Sequence, residues 1–208
     1  MRQVYASIAV AAMVGLIAGS VLYVRMQRAG DPFADCRAGQ VGGGSIGGPF
    51  TLVDQTGATV TDRDVITGPT LVYFGYTFCP DVCPTDAARN ADAVDILAKG
   101  GTAAKAVFIT IDPARDTPEV LRDFTGALSA DMIGLTGTEA QVRAASDAYR
   151  TFYQVSNPGA DDYLMDHTTL TYLMQPGADG VPAFMDFFKN DVPAPDMAAR
   201  VACYAAAG

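Results

Sequence analysis

Between Val4 and Val24 the chain runs for 21 residues without a charge, and only Ser7 and Ser20 are clearly polar. As a helix at ~1.5 Å per residue this run is roughly 32 Å long, enough to span the apolar core of a bilayer. A cleaved secretory signal is the alternative, but the run is long for the apolar core of one and no Ala-x-Ala site closes it. The pattern therefore predicts an uncleaved single-pass anchor over residues 1–28, in contact with lipid through residues 4–24. Residues 29–48 are Gly-rich, with Pro32 and Pro49 near the limits, and read as a tether. Cys36 follows Phe33-Ala34-Asp35, which lacks the Leu and small residues that precede a lipidated cysteine.

Residues 49–208 show the alternating periods of a mixed domain. Phe50–Val53 and Ala58–Thr61 flank a turn at Gly57 and predict a short hairpin. Thr70–Tyr76 is a continuous apolar run of buried-strand character. Apolar positions at Ala87, Ala91, Val94 and Leu97, stopped by Gly100-Gly101, predict a helix over Thr85–Lys99. A second buried strand follows at Ala106–Ile111. Helices are expected at Thr117–Leu128, with Pro118 and Glu119 in the first turn, and from Thr138 to Tyr149, where Gln141 completes a capping box. A strand at Met132–Leu135 lies between them. Leu170–Met174 and Phe184–Phe188 read as a second hairpin, and Pro195–Ala206 as a closing helix. This order implies an α/β sheet covered on both faces, with the first hairpin as an N-terminal extension.

Charge removes one class of partner. The chain carries a formal net charge of -9 and no cluster of Lys or Arg, so it lacks the cations that nucleic-acid binding requires. Gly42, Gly44 and Gly47 match G-x-G-x-x-G in form only: no strand precedes them and Pro49 follows.

The chemistry concentrates at Cys79-Pro80-Asp81-Val82-Cys83-Pro84, the turn from strand to helix. Two cysteines four apart beside a helix N-terminus place both sulfurs on one side, about 5–6 Å apart at Cβ if helical, and the helix dipole favours thiolate. Thiolates bind metals and attack disulfides, whereas the alternative is a packed pair or a structural disulfide. His167 is the single histidine of the chain. In a thioredoxin-like order the loop Met165-Asp166-His167-Thr168 lies opposite the cysteine turn, which gives a Cys₂His set. Two thiolates and one imidazole suit copper as Cu(I) or Cu(II), while structural zinc requires a fourth strong ligand. Met165 is available as a soft ligand, though a Met beside a strand is more often core.

The stretches Gly47-Gly-Pro-Phe50, Tyr73-Phe-Gly-Tyr-Thr-Phe-Cys-Pro-Asp-Val-Cys-Pro84, Thr110-Ile-Asp-Pro-Ala-Arg-Asp-Thr117, Gly134-Leu-Thr-Gly137 and Asp166-His167-Thr168 together resemble the SCO/SenC family of copper chaperones for cytochrome c oxidase. The likeness covers roughly residues 40–205. It implies a thioredoxin fold and copper held by Cys79, Cys83 and His167. It also implies delivery to, or thiol reduction of, the binuclear copper site of oxidase subunit II, with another periplasmic copper chaperone as a second partner. Arg2 lies before the apolar run Val4–Val24 and Arg25, Arg28 and Arg37 after it, which by itself orients the domain inward. The resemblance sets the opposite orientation: the inner membrane of a bacterium, with the domain in the periplasm.

Five further residues are candidates. Asp112 and Asp116 match an acidic stretch of the family. Asp112 ends a strand, where α/β sites sit, and is read as supporting the ligands or docking a partner; a helix cap is the alternative. Asp166 is placed to accept from the second ring nitrogen of His167. Cys36 and Cys203 are extra to the copper motif; in an oxidising compartment they are expected to pair and staple the tether to the domain, the alternative being free or intermolecular thiols.

Three functions compete. A metallochaperone passes copper on without turnover. A thiol-disulfide oxidoreductase needs no His167 and commonly has two residues between its cysteines. A thiol peroxidase is suggested by Val82-Cys-Pro-Thr-Asp86, but Pro80 stands where a peroxiredoxin has Thr.

Overall fold

The computed structural model describes residues 2–29, 32–37, 46–159, 162–177 and 179–207, the side chains of 2–4, 6–11 and 27–29 excepted. Half of the predicted tether, residues 30–31 and 38–45 with the glycines Gly42 and Gly44, lies outside this set. Helix α1 (Arg2–Ala29) is 28 residues long. Among the described residues no helix is long and apolar enough to cross a membrane. In α1, Met13, Leu16, Ile17 and Leu22 are exposed, from 57% at Ile17 to 75% at Leu16.

The domain begins with the hairpin β1 (Thr51–Asp54) and β2 (Thr59–Thr61), followed by the one-turn α2 (Asp62–Val65). Asp54 closes the hairpin turn by accepting from Thr56 N and Ala58 N, and Gly57 supplies the positive φ of +89° that the turn requires. Then come β3 (Thr70–Gly75), α3 (Val82–Lys99), β4 (Lys105–Thr110), α4 (Pro118–Leu128), β5 (Ile133–Thr136) and α5 (Glu139–Ala148). The chain ends with β6 (Tyr153–Val155), β7 (Met165–His167), β8 (Thr171–Pro176), β9 (Pro182–Phe188) and α6 (Ala194–Ala207).

Seven strands form one sheet in the order β2-β1-β5-β4-β3-β8-β9. β3, β4 and β5 run parallel at its centre, with antiparallel β1 and β8 on their flanks. The first hairpin is thus an edge of the main sheet. All six residues of β3 are buried, as its unbroken apolar run predicts. Alternation along β3 fixes what each face meets: Tyr73 packs with Phe108 and, through it, Phe124 of α4, whereas Phe74 meets Tyr149 at the end of α5. Helices therefore cover both faces. Leu71, Val72 and Phe74 each contribute about 1.5–3 kcal/mol by leaving water.

Two local expectations are corrected. The helix after the cysteines starts at Val82, three residues before Thr85, so Cys83 lies in its first turn and Cys79 lies before it. Pro84 fits as the third helical residue because an N–H there has no intrahelical acceptor. Met165–His167 is a strand paired with Tyr153–Val155, with Tyr153 opposite His167. The segment read as a loop is half of a separate two-stranded ribbon.

Cys36 and Cys203 form a disulfide, with Cα atoms 5.6 Å apart. Cys36 is buried beside Leu97, Phe188, Val201 and Tyr204, and Phe33 packs on Tyr204 at 5.6 Å between ring centroids. Residues 33–36 of the predicted tether are thereby fixed to α6.

Candidate metal centre

β3 and β4 end side by side, and the segments after them carry the chemistry. After Gly75 the chain turns at Tyr76–Cys79, closed by Cys79 N donating to Tyr76 O at 3.3 Å, and enters α3. Asp81, the N-cap residue, makes no capping bond with its side chain. The Cys79 sulfur takes that place, accepting from Cys83 N at 3.3 Å. The two sulfurs thus meet through this turn, and the expected spacing along one helix face is not how they converge.

His167 reaches the cysteines from the ribbon. Its Nε2 lies 3.3 Å from Cys83 Sγ, and its Nδ1 lies 3.0 Å from the Thr168 carbonyl. A carbonyl only accepts, so Nδ1 carries the proton and Nε2 presents a lone pair to the sulfurs. The rings of Tyr73 and Tyr76 stand edge-on to the imidazole at 6.2 and 6.0 Å. Tyr76 Oη also accepts from Met165 N at 3.2 Å, tying the ribbon to the cysteine turn.

The ligand atoms of Cys79, Cys83 and His167 all lie within 4.8 Å of one another. Cys79 and Cys83 are free thiols, Cys79 half-buried and Cys83 fully buried. Burial pushes the Cys83 thiol well above its usual range, and burial holds His167 below the ordinary imidazole value against the opposing pull of Thr168. Before metal arrives, a protonated thiol therefore faces a neutral imidazole. Two sulfurs and one ring nitrogen form a soft donor set that fits copper.

The other expected residues have different roles. Asp166 is exposed and its carboxylate meets Gln154 at 3.5 Å, so orientation of the imidazole by Asp166 is corrected to orientation by the Thr168 carbonyl. Asp112 is buried, accepts from Tyr163 Oη at 2.7 Å and pairs with Arg115. It lines a cavity of about 410 Å³ with Tyr163 and Met165 that does not include the cysteines, so it neither touches the ligands nor offers an exposed carboxylate to a partner. Asp116 is the one that supports the site. Fully buried, it accepts from Thr77 N at 3.1 Å, Thr77 Oγ1 at 2.6 Å and Thr110 Oγ1 at 2.6 Å, fixing the turn before Cys79 to the end of β4. The cap of α4 is Thr117, which accepts from Val120 N.

Sequence reasoning missed Gly75. A Cβ there would lie 2.8 Å from Tyr73 Cε1, 3.0 Å from Phe108 Cε2 and 3.1 Å from Cys83 Sγ. A lone glycine inside an apolar strand was the available signal, since it marks a close approach.

The site has an apolar rim. Beyond α1, the exposed large hydrophobic side chains among the described residues are Phe78, Val82, Phe152, Val155, Leu164, Ile96 and Val181. The first five lie on the cysteine turn and the ribbon, and only the last two lie elsewhere. Arg115 bridges the two parts, its guanidinium over Phe78 at 4.6 Å and over Tyr163 at 3.6 Å.

The fold and this site together define a thioredoxin-like domain whose helix-start cysteines have acquired a histidine partner. The chain belongs to the SCO1/SenC family, whose model matches residues 38–206. Protein SenC of Rhodobacter capsulatus is 51% identical over 197 residues, spanning 94% of this chain and 87% of that protein. The copper-bound structure of Bradyrhizobium japonicum ScoI is 37% identical with a TM-score of 0.68, covering 77% of this chain and 99% of its own. Copper-bound Arabidopsis thaliana ScoI is 31% identical with a TM-score of 0.71, covering 77% and 98%.

Proposed function

We propose that this chain is a membrane-anchored copper metallochaperone that holds copper through Cys79, Cys83 and His167 and supports assembly of the binuclear copper site of cytochrome c oxidase subunit II. The observation that carries this reading is the convergence of two free thiols and one imidazole within 4.8 Å. Copper-bound relatives support the choice of metal. Three protein ligands leave a coordination position for an incoming donor, and Cys79 is half-buried rather than sealed, so copper moves by ligand exchange. The apolar rim suits a protein recipient that covers the site during that exchange.

In this reading residues 1–28 are the anchor, residues 29–48 the tether and residues 49–208 the copper domain. The uncharged run Val4–Val24 and the exposed apolar side chains of α1 support the anchor. The domain then faces the periplasm from the inner membrane, where copper is delivered and the Cys36–Cys203 disulfide persists.

The test is copper titration of the full chain in detergent, reduced, beside His167→Ala and Cys79→Ala. One copper per chain with a spectrum and affinity altered in both variants is expected. Unchanged binding in His167→Ala overturns the Cys₂His site.

One observation favours a second role. The Cys83 N–H donates to Cys79 Sγ, which holds the half-buried sulfur beside a buried partner thiol. That is the arrangement of a thiol-disulfide reductase acting on the recipient's cysteines before metal insertion. A thiol peroxidase finds no such support, and rapid peroxide consumption at Cys83 would restore it.

A further inference from the structure

Tyr73 stands behind the cysteines on the core side. It is fully buried in β3, its ring is edge-on to His167, and its Cε1 converges with Cys83 Sγ on the space that Gly75 leaves open, 2.8 and 3.1 Å from the same point. Its hydroxyl is buried with no partner at full hydrogen-bond geometry, and the groups it interacts with are Cys83 and Asp86. Asp86 follows Cys83 by three residues on α3, which puts both on one helix face. One Asp86 oxygen pairs with Arg89 at 3.0 Å, while the other, Oδ2, is buried without a partner. A donor and an acceptor, neither of them in a bond of full geometry, thus flank the innermost sulfur. Leaving such groups buried and unpaired is costly, and the cost is removed when one of them gains a bond.

We propose that Tyr73 is a positioning residue for the metal thiolate, its hydroxyl turning to donate to Cys83 Sγ when copper replaces the thiol proton, with Asp86 as the competing acceptor. The inference rests on the copper reading above. While Cys83 is a thiol its proton is directed at His167 Nε2, and the sulfur is a weak acceptor. Once copper occupies that side, the sulfur becomes an anion and the phenol is a donor already buried beside it. A hydrogen bond to a ligating sulfur draws charge from it, favours the more electron-rich Cu(I) form and raises the reduction potential. Asp86 acts in the opposite direction, through its negative charge and by taking the same proton donor.

Two substitutions separate these effects. Tyr73→Phe keeps the ring and removes an oxygen that makes no hydrogen bond of full geometry in the apo fold, so the variant should fold. Asp86→Asn weakens the competing acceptor and removes its charge while keeping an oxygen for Arg89. The full chain in detergent is loaded with copper, and the sulfur-to-Cu(II) charge-transfer band, the reduction potential and the two copper affinities are measured. Tyr73→Phe is expected to move the band to longer wavelength, lower the potential and reduce the ratio of Cu(I) to Cu(II) affinity about tenfold, the scale of one hydrogen bond to a charged group. Asp86→Asn is expected to shift band and potential the other way. Unchanged values in both variants, or shifts of the same sign, overturn the proposal. Wild type that takes up no copper overturns the copper reading itself and this inference with it, whereas wild type that loads normally while the variants match it overturns this inference alone.

Discussion

His167 Nε2 and Cys83 Sγ lie 3.3 Å apart across the junction of α3 and the ribbon, so one thiol proton occupies the place where copper must go. Burial raises the Cys83 pKa, which keeps that proton on sulfur through neutral pH, and lowers that of His167, which keeps the ring neutral. Copper uptake near neutral pH should therefore release the Cys83 proton and gain affinity by about tenfold per pH unit for that proton. Dye-monitored titration in weak buffer checks the release. The imidazole adds to the pH slope only below its ordinary value of 6.5, because its folded pKa is depressed. For the same reason His167 withdraws apo stability as pH falls below 6.5, where the unfolded chain takes up the proton more readily.

Gly75→Ala tests how closely the sulfur is packed. The added methyl would press on Tyr73, Phe108 and Cys83 within 3.1 Å, and none of these is the free end of a flexible chain. A loss of about 1–3 kcal/mol in denaturant unfolding is expected, the usual scale for overpacking a core. Because Cys83 Sγ is one of the displaced atoms, copper affinity should fall in the same variant. An unchanged copper affinity would show that the sulfur is not seated against Gly75.

Much of this was legible from side-chain pattern. The apolar run Thr70–Tyr76 and the helical periods after it gave the sheet and its helices, because strand burial and amphipathic spacing leave direct marks in sequence. The Cys79–Cys83 spacing and a single histidine likewise pointed to one site. The ribbon was not legible: Tyr-Gln-Val and Met-Asp-His are too short for a period, and their pairing depends on contacts 12 residues apart, as in Gln154 with Asp166. Nor could sequence show that Asp116, rather than Asp112, faces the cysteine turn. Both lie in one loop, and which carboxylate points inward is decided by the hydroxyls of Thr77 and Thr110.

Asp116→Asn exchanges a carboxylate that accepts from three donors for an amide with one acceptor oxygen. Leaving a buried donor unpaired costs about 1–3 kcal/mol, and the loosened Thr77 should weaken copper binding as well. The pH dependence follows from burial, which raises the Asp116 pKa above its ordinary 3.8. A raised folded pKa gives wild type an advantage below 3.8 that is lost as pH rises through the folded value, and the Asn variant has no such dependence. The stability difference between wild type and variant should thus shrink as pH rises from about 3. Urea unfolding at several pH values measures it.

The Cys36–Cys203 bridge closes a separation of 167 residues. Cys203→Ser should cost about 2–5 kcal/mol of domain stability and release Phe33 from Tyr204, with Cys79 and Cys83 still able to bind copper. Thermal unfolding with and without copper measures both effects. A variant as stable as wild type would mean that the tether contributes nothing to the fold.

The apolar rim separates holding copper from handing it over. Phe78 and Leu164 are 59% and 45% exposed on the two parts that frame the site, and neither supplies a ligand. Replacing both with Ser removes apolar area that only a partner can bury, while the bonds that place Cys79, Cys83 and His167 come from Tyr76, Asp116 and Thr168. On the proposed function, the double variant should load copper with wild-type affinity and spectrum, yet pass it to the soluble copper domain of oxidase subunit II, the proposed recipient, about tenfold more slowly, the effect of losing about 1.4 kcal/mol of interface contact. Stopped-flow mixing of the loaded chain with that domain gives the rate. Equal rates for variant and wild type would place the recipient on another face, and a variant that fails to load copper would make the rim part of the site itself.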